Sequence, residues 1–237
     1  MGAFDFAQLE VSLRGLDRSA FDASLLARAA EVWAVRAQNE HASVASFDRF
    51  SLGLLAVAAP PELLVLAHEA ALDEIVHARM SFAIAGAYAA DAIGPGPLDL
   101  RDVPAASTSL PELVESTVIE GCVGETLSAL EARLAAGLAT EPAARLALDR
   151  IAEDEARHAE LAWAFVRWAF CVDRGLGPQV RRAFDEAVPR ALALDAQARC
   201  ADPDLNAFGI PSIEQVREER RRGVTEIVEA AEATLRA

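Results

Sequence analysis

Apolar residues recur at alternating steps of three and four along most of this chain, the period of helices with one buried face. The stripe Trp33, Ala37, Glu40, Val44, Phe47, Ser51 and Leu54 marks a first long helix over residues 22–58, with Ser19 and Asp22 offering a capping box before it. A second stripe, Ala67, Ala70, Glu74, His77, Ser81, Ile84 and Tyr88, runs towards Ile93, where Gly94-Pro95-Gly96-Pro97 breaks the helix. A long link leads to Ser109-Leu110-Pro111-Glu112, a second capping box with proline in the first turn. The third helix carries Leu113, Thr117 and Glu120 and extends to about Ala136. Thr140-Glu141-Pro142 opens a fourth, with Leu148, Ile151, Glu155, His158, Ala162, Phe165 and Ala169 on one face. The short turn Ala59-Pro60-Pro61-Glu62 makes the first two helices antiparallel neighbours. The fold class expected is all-α.

These stripes are apolar except at a few positions, and those positions repeat. Asp73-Glu74-Ile75-Val76-His77-Ala78 and Asp154-Glu155-Ala156-Arg157-His158-Ala159 are two copies of one phrase. Each holds a Glu-x-x-His, whose spacing sets carboxylate and imidazole side by side on the inward face. An unpaired buried carboxylate costs several kcal/mol, on the order of a protein's whole net stability, and a cation at the centre is the simplest remedy. Upstream of each copy lies a further carboxylate. Glu40 precedes Glu74 by 34 positions and Glu120 precedes Glu155 by 35, the offset that two similar helical hairpins give. On that repeat Glu120 is the third-helix ligand. Glu125 falls on another side of a regular helix, whereas an i to i+5 bulge near Gly121 and Gly124 turns both carboxylates inward. Glu40, Glu74, His77, Glu120, Glu155 and His158 are thus the candidate metal-binding and catalytic set.

Four Glu and two His converging between four helices resembles the ferritin-like di-iron carboxylate superfamily, whose ligand plan is one Glu from each of two helices and Glu-x-x-His from each of the others. The resemblance spans about residues 25–170 and implies a four-helix bundle with a long crossover between helices two and three. The Asp before each Glu makes the motif look like the oxygen-activating members, the monooxygenase hydroxylases and radical-generating reductase subunits, more than like iron-storage ferritins. Asp73 is expected to orient His158 and Asp154 to orient His77, since a metal-bound imidazole usually donates its second N–H to a carboxylate. The phrase Ile119-Glu120-Gly121-Cys122-Val123-Gly124-Glu125 is similar to the third-helix motif of the tRNA-modifying hydroxylases of this superfamily.

Donor chemistry favours iron or manganese, because carboxylates and imidazoles are hard and borderline ligands, and it disfavours copper and structural zinc. Two Fe ions are the cofactor expected, with Mn or a mixed Mn/Fe pair as alternatives. The resemblance then implies an O2-dependent oxidase or oxygenase acting on a small organic substrate, with an external electron donor such as a reductase or ferredoxin. The competing reading is a ferroxidase or a peroxide scavenger of the rubrerythrin kind. No Cys-x-x-Cys pair exists to form a rubredoxin-like module, and Cys122, Cys171 and Cys200 read as reduced thiols. The single tyrosine, Tyr88, lies far along the helix from His77, which ranks a radical-generating subunit low.

Composition adds limits. A net charge of −15 argues against a nucleic-acid partner, and so against the tRNA-hydroxylase analogy. The 53% hydrophobic and 6% aromatic fractions point to a core built from Ala and Leu. No stretch approaches the ~20 apolar residues of a membrane span, and the basic-then-apolar order of a signal peptide is missing, so a cytoplasmic chain without membrane contact is expected. Residues 1–21 read as an N-terminal extension, 22–174 as the di-metal bundle and 175–237 as a C-terminal helical extension packed on it. That extension suggests a helix from Gln179 to Ala198 with Pro189 inside, an irregular stretch from Asp202 to Pro211 and a last helix from about Ser212. Arg217, Arg220, Arg221 and Arg222 in the last helix read as a solvated face. The extension is free to cap the bundle, shape a substrate entrance or make a homodimer contact.

Overall fold

Four long helical runs form because each presents one apolar stripe whose best partner is another such stripe. The computed structural model describes residues 4–101, 103–193 and 202–236, and these contain helices and no strand. The first run is α2 (Ala23–Ala56) and the second α3 (Pro61–Ala89), folded back on it through residues 57–60. The third comprises α4 (Leu110–Ser116), a π-helical segment (Thr117–Glu125) and α5 (Thr126–Leu138), and the fourth is α6 (Pro142–Val172). α2 packs most extensively on α3, α3 also meets α6, and α6 packs along α5 and the π segment. All seven positions of the stripes read for α3 and for α6 are buried. Among the described residues no helix is long and apolar enough to cross a membrane.

The helix starts differ in detail from the sequence reading. Asp22 caps α2 alone, its carboxylate accepting from the backbone N–H of Ser24 and Leu25, while Ser19 sits in a separate 3-10 turn held by Asp17. Ser109 makes no side-chain cap bond, and the start of α4 rests on Pro111 in its first turn. Glu141 caps α6 from a buried position, accepting from Ala143 and Ala144 N–H and from the Tyr88 hydroxyl.

The third run departs most from regularity. Its buried positions step from Thr117 and Val118 to Cys122 and Val123, an interval of five rather than three or four. An inserted residue rotates everything before it relative to everything after it. Gly121 is needed where this segment approaches α6, since a Cβ there would lie 2.5 Å from Ala162 Cβ. Thr117 and Thr126, at either end, turn their hydroxyls back to the carbonyls of Leu113 and Cys122.

The flanking segments pack onto these four runs. α1 (Phe6–Arg14) lies against α6 and α3. α7 (Gly177–Leu192), with Pro189 inside it, covers the π segment and α4, and its Phe184 stacks on Trp163 at 5.7 Å. The helix read as far as Ala198 ends at Leu192; residues 194–201, with Cys200, lie outside those described. Residues 202–211 are not wholly irregular: a 3-10 helix (Pro203–Phe208) packs on α2 and α5 and buries Leu205 and Phe208. Its carbonyls are well used, Ala207 O accepting from Thr140 and Glu141 N–H and Phe208 O from the Trp33 indole. Gly209 then turns the chain at φ 68°, a region open to glycine. α8 (Ile213–Gly223) starts on a complete Ser212–Gln215 capping box and leads through a π turn (Val224–Val228) to α9 (Glu229–Arg236). Phe208 is fully buried against Tyr88 and Phe21. Phe208→Ala should therefore destabilise the protein by ~3–5 kcal/mol in a denaturant titration; a loss below ~1 kcal/mol would show this segment to be a loosely attached cover.

Candidate metal centre

The polar positions of the stripes meet midway along the helices. Glu40 comes from α2, Glu74 and His77 from α3, Glu125 from the last residue of the π segment, and Glu155 and His158 from α6. They form two groups that share Glu155: Glu40, Glu74, His77 and Glu155, and Glu125, Glu155 and His158. Within each group one donor atom per residue lies within 4.8 Å of every other. Glu74 also spans both groups, with Oε2 3.7 Å from His77 Nδ1 and Oε1 3.3 Å from His158 Nδ1. Glu155 does the same, with Oε1 3.6 Å from His77 Nδ1 and Oε2 3.7 Å from His158 Nδ1. Each Glu-x-x-His thus supplies a carboxylate between the two imidazoles, while Glu40 and Glu125 stand at the two ends.

Glu120, assigned as the third-helix ligand from the 34 and 35 residue offsets, lies outside both groups. It is exposed, and its carboxylate accepts from Arg49 Nη2 at 2.5 Å. The offset comparison assumed a regular third helix; the five-residue step of the π segment instead turns Glu120 outward and Glu125 inward. The bulge anticipated near Gly121 is present, but it brings in one carboxylate rather than two. His41 and His68 belong to neither group.

Behind the imidazoles stand the two aspartates, each facing the other motif's His, but only Asp154 is within hydrogen-bond distance of its ring. His77 Nε2 is 2.9 Å from Asp154 Oδ2, and His158 Nε2 is 3.6 Å from Asp73 Oδ2. Both rings therefore aim Nδ1 at the carboxylates and Nε2 outward. Two guanidiniums hold the pair of aspartates. Arg150 donates from Nε to Asp154 Oδ2 at 2.6 Å and from Nη2 to Asp73 at 3.2 Å; Arg157 donates from Nη2 to Asp73 at 3.0 Å and also to Asp154. Arg150 was not singled out from the sequence, although it lies four residues before Asp154 on a helix and so shares its side.

The electrostatics follow from this crowding. Burial opposes protonation of His77, but the Asp154 carboxylate bonded to Nε2 and the nearby negative charges of Glu40 and Glu74 outweigh it and hold its pKa well above the usual value. Burial likewise opposes protonation of His158, and Asp73, Glu155 and Glu74 around it raise its pKa to about 11. Asp154 is lowered to about 2, because His77, Arg150 and Arg157 overcome its burial. Glu125, half-buried at the edge of two cavities, is raised well above the carboxylate range, by burial first and by the neighbouring Glu155 second. The site thus gathers positive charge wherever it can find it.

Donor chemistry and unfilled valences both fit a metal. Glu74 Oε2, His77 Nδ1 and both ring nitrogens of His158 are buried without a hydrogen-bond partner, a costly condition for such groups. Two dications would neutralise the four carboxylates, give both Nδ1 atoms a ligand and release the protons the imidazoles otherwise retain. The buried cluster of Glu and His residues is a candidate metal centre whose metal is set by the hard donors rather than by any sulfur.

Two cavities reach it. One, of about 240 Å³, runs between α2, the third run and α6 and touches Glu125 and His158. The other, of about 480 Å³, borders Glu40, Glu74, Glu125 and Glu155 and is walled by Arg36, Glu131, Ile210 and Arg220. Arg220, read as part of a solvated face, is instead turned inward, donating to Glu131 and to the Ala191 carbonyl. Its neighbours Arg221 and Arg222 do remain outside, paired with Glu218 and Glu219. Comparison with protein-family models, with curated proteins and with solved structures finds no match to this chain. The functional argument rests on the site itself.

Removing the ligand at the end of the π segment separates the two assignments. Glu125→Ala should retain about one metal per chain by elemental analysis after Fe(II) or Mn(II) loading, whereas Glu120→Ala should retain about two; the reverse outcome would restore Glu120 as the ligand. Asp154→Asn keeps the shape but gives up the charge that orients His77, and should weaken metal affinity by ~10–100-fold in a competition titration. Unchanged affinity would reduce Asp154 to a partner of the two arginines.

Proposed function

We propose that this chain is a ferritin-like four-helix bundle of the oxygen-activating kind, holding two iron ions and oxidising a small organic molecule with O2. The observation that supports the reading best is a cavity, open at one end, whose apolar floor meets one edge of the carboxylate and imidazole cluster. An iron-oxidising or peroxide-consuming protein needs no such apolar chamber for its substrates, which are a metal ion and O2 or H2O2. The residues that would hold the metals are Glu40, Glu74, His77 and Glu155 on one side and Glu125, Glu155, His158 and Glu74 on the other.

Two ferrous ions held by these residues would supply the electrons for reducing O2, and an external donor such as a reductase or ferredoxin would restore them. The protein's own contribution is position and dryness. Asp154 and Asp73 fix the faces that His77 and His158 present, and Arg150 and Arg157 keep both aspartates charged and in place. Phe47 stands edge-on to His158 at 4.9 Å and, with Leu113, Leu161 and Ala162, keeps water from the cavity floor. The π segment sets Glu125 at the boundary of both cavities, where a helix of poorer hydrogen-bond geometry lets a carboxylate move at small cost. Manganese, alone or mixed with iron, satisfies the same donors.

Anaerobic Fe(II) addition followed by O2 tests this directly. Two irons per chain and a transient visible absorbance whose decay is hastened by an organic substrate are expected. Steady oxidation of many irons per chain, indifferent to any organic additive, would favour the ferroxidase reading; failure to take up iron or manganese at all would remove both.

A further inference from the structure

The smaller cavity is polarised along its length. Its deep end is Phe47, Leu113, Leu161 and Ala162, all buried, beside His158 and Glu125. Its mouth carries Ser43, Ser46 and Ser107 together with the Arg49–Glu120 pair. Ser43, Ser46 and Arg49 follow one another at steps of three on α2, so all three face the same opening. The Arg49 side chain is only 17% exposed, whereas that of Glu120 is 52% exposed. Such a pair adds little to stability, on the order of ~0–1 kcal/mol, yet it fixes one positive and one negative charge side by side at the entrance.

Charge balance restricts what can enter. A ligand bearing only a carboxylate must take Arg49 from Glu120 and leave that carboxylate facing another. A ligand bearing only an ammonium strands Arg49 in the same way. A zwitterion inserts between them and replaces one ion pair by two, with the serine hydroxyls available to the remaining donors and acceptors. Adjacent opposite charges with an apolar tail describe an α-amino acid. The volume of about 240 Å³ lies below the roughly 300–1,000 Å³ of sites for drug-sized ligands, so the tail is short.

We propose that this cavity binds a small aliphatic α-amino acid, its carboxylate on Arg49, its ammonium on Glu120 and its side chain directed to the His158–Glu125 edge. That the bound amino acid is the molecule oxidised rests on the reading of the cluster as an oxidising centre; its binding does not. Calorimetry on the full-length protein, loaded with Fe(II) under argon, should detect L-valine or L-leucine. It should find 4-methylpentanoate and 3-methylbutylamine, which carry one charge each, at least about tenfold weaker than L-leucine. Arg49→Gln and Glu120→Gln should each weaken L-leucine by about tenfold or more while the metal content stays at the wild-type value. The inference is overturned if none of L-alanine, L-valine and L-leucine binds, if a singly charged analogue binds as tightly as L-leucine, or if Arg49→Gln leaves the affinity unchanged. The analogue series needs no variant, so a misfolded substitution does not blunt the test. Wild-type metal uptake without amino-acid binding sinks this inference alone, whereas amino-acid binding without metal uptake sinks the oxidase reading and leaves the cavity assignment standing.

Discussion

Charge buried at the centre of four helices is the constraint on which the rest of this structure depends. Four carboxylates and two imidazoles occupy positions that the apolar stripes carry inside. Nothing in a core of Ala, Leu and Phe can solvate them, and each uncompensated charge costs several kcal/mol. The molecule meets this in layers. Glu74 and Glu155 lie between the imidazoles, Asp73 and Asp154 stand behind them, and Arg150 and Arg157 close the rim. Asp73 and Asp154 repel each other, so the two guanidiniums that bridge them are as necessary to the arrangement as the histidines they face. A partial version of this network would be worse than none, because each member left alone would be a buried unpaired group.

Most of the interior was legible in the sequence because the helix period leaves little freedom. Once Glu74 and His77 share a stripe with Ala67, Ala70, Ser81, Ile84 and Tyr88, the face they occupy follows, and the same holds for Glu155 and His158. The cross-pairing of each Asp with the other motif's His was readable for the same reason. The third helix was not, because one inserted residue is invisible to an argument that counts at 3.6 per turn. The equal offsets that favoured Glu120 are real, and they fail because α2 is regular through Glu40 while the third run is not regular before Glu125. Gly121 and Gly124 marked the place without fixing the direction of the turn.

Other misses share a cause of their own. Ser19 and Ser109 have the composition of capping residues, but a cap bond needs a backbone direction that composition does not encode. Asp202–Pro211 has the proline and glycine of a loop, yet its Leu205, Phe208 and Ile210 are core residues, and the buried Trp33 indole N–H finds its acceptor in the Phe208 carbonyl. Arg220 sits in a run of arginines of which Arg221 and Arg222 pair locally with Glu218 and Glu219, and only the packing of α8 on α5 turns it towards Glu131. In the last two cases the deciding contact is between residues distant in sequence.

The two halves of the cluster are alike in donors and unlike in surroundings. Glu40, Glu74 and Glu155 border the wider chamber, whose wall includes charged residues from the C-terminal helices; His158 borders the narrower one, floored by aliphatic and aromatic side chains. Glu125 and Ser43 line both. A symmetric ligand set therefore sits in an asymmetric field. The asymmetry originates in the π segment, because the same extra residue that brings Glu125 in carries Glu120 out to Arg49 and opens the narrow chamber between them. A regular helix here would place a carboxylate one turn earlier and leave the mouth without its anion. On the proposed reading, one local irregularity both completes the metal ligands and sets the charge that selects what approaches them.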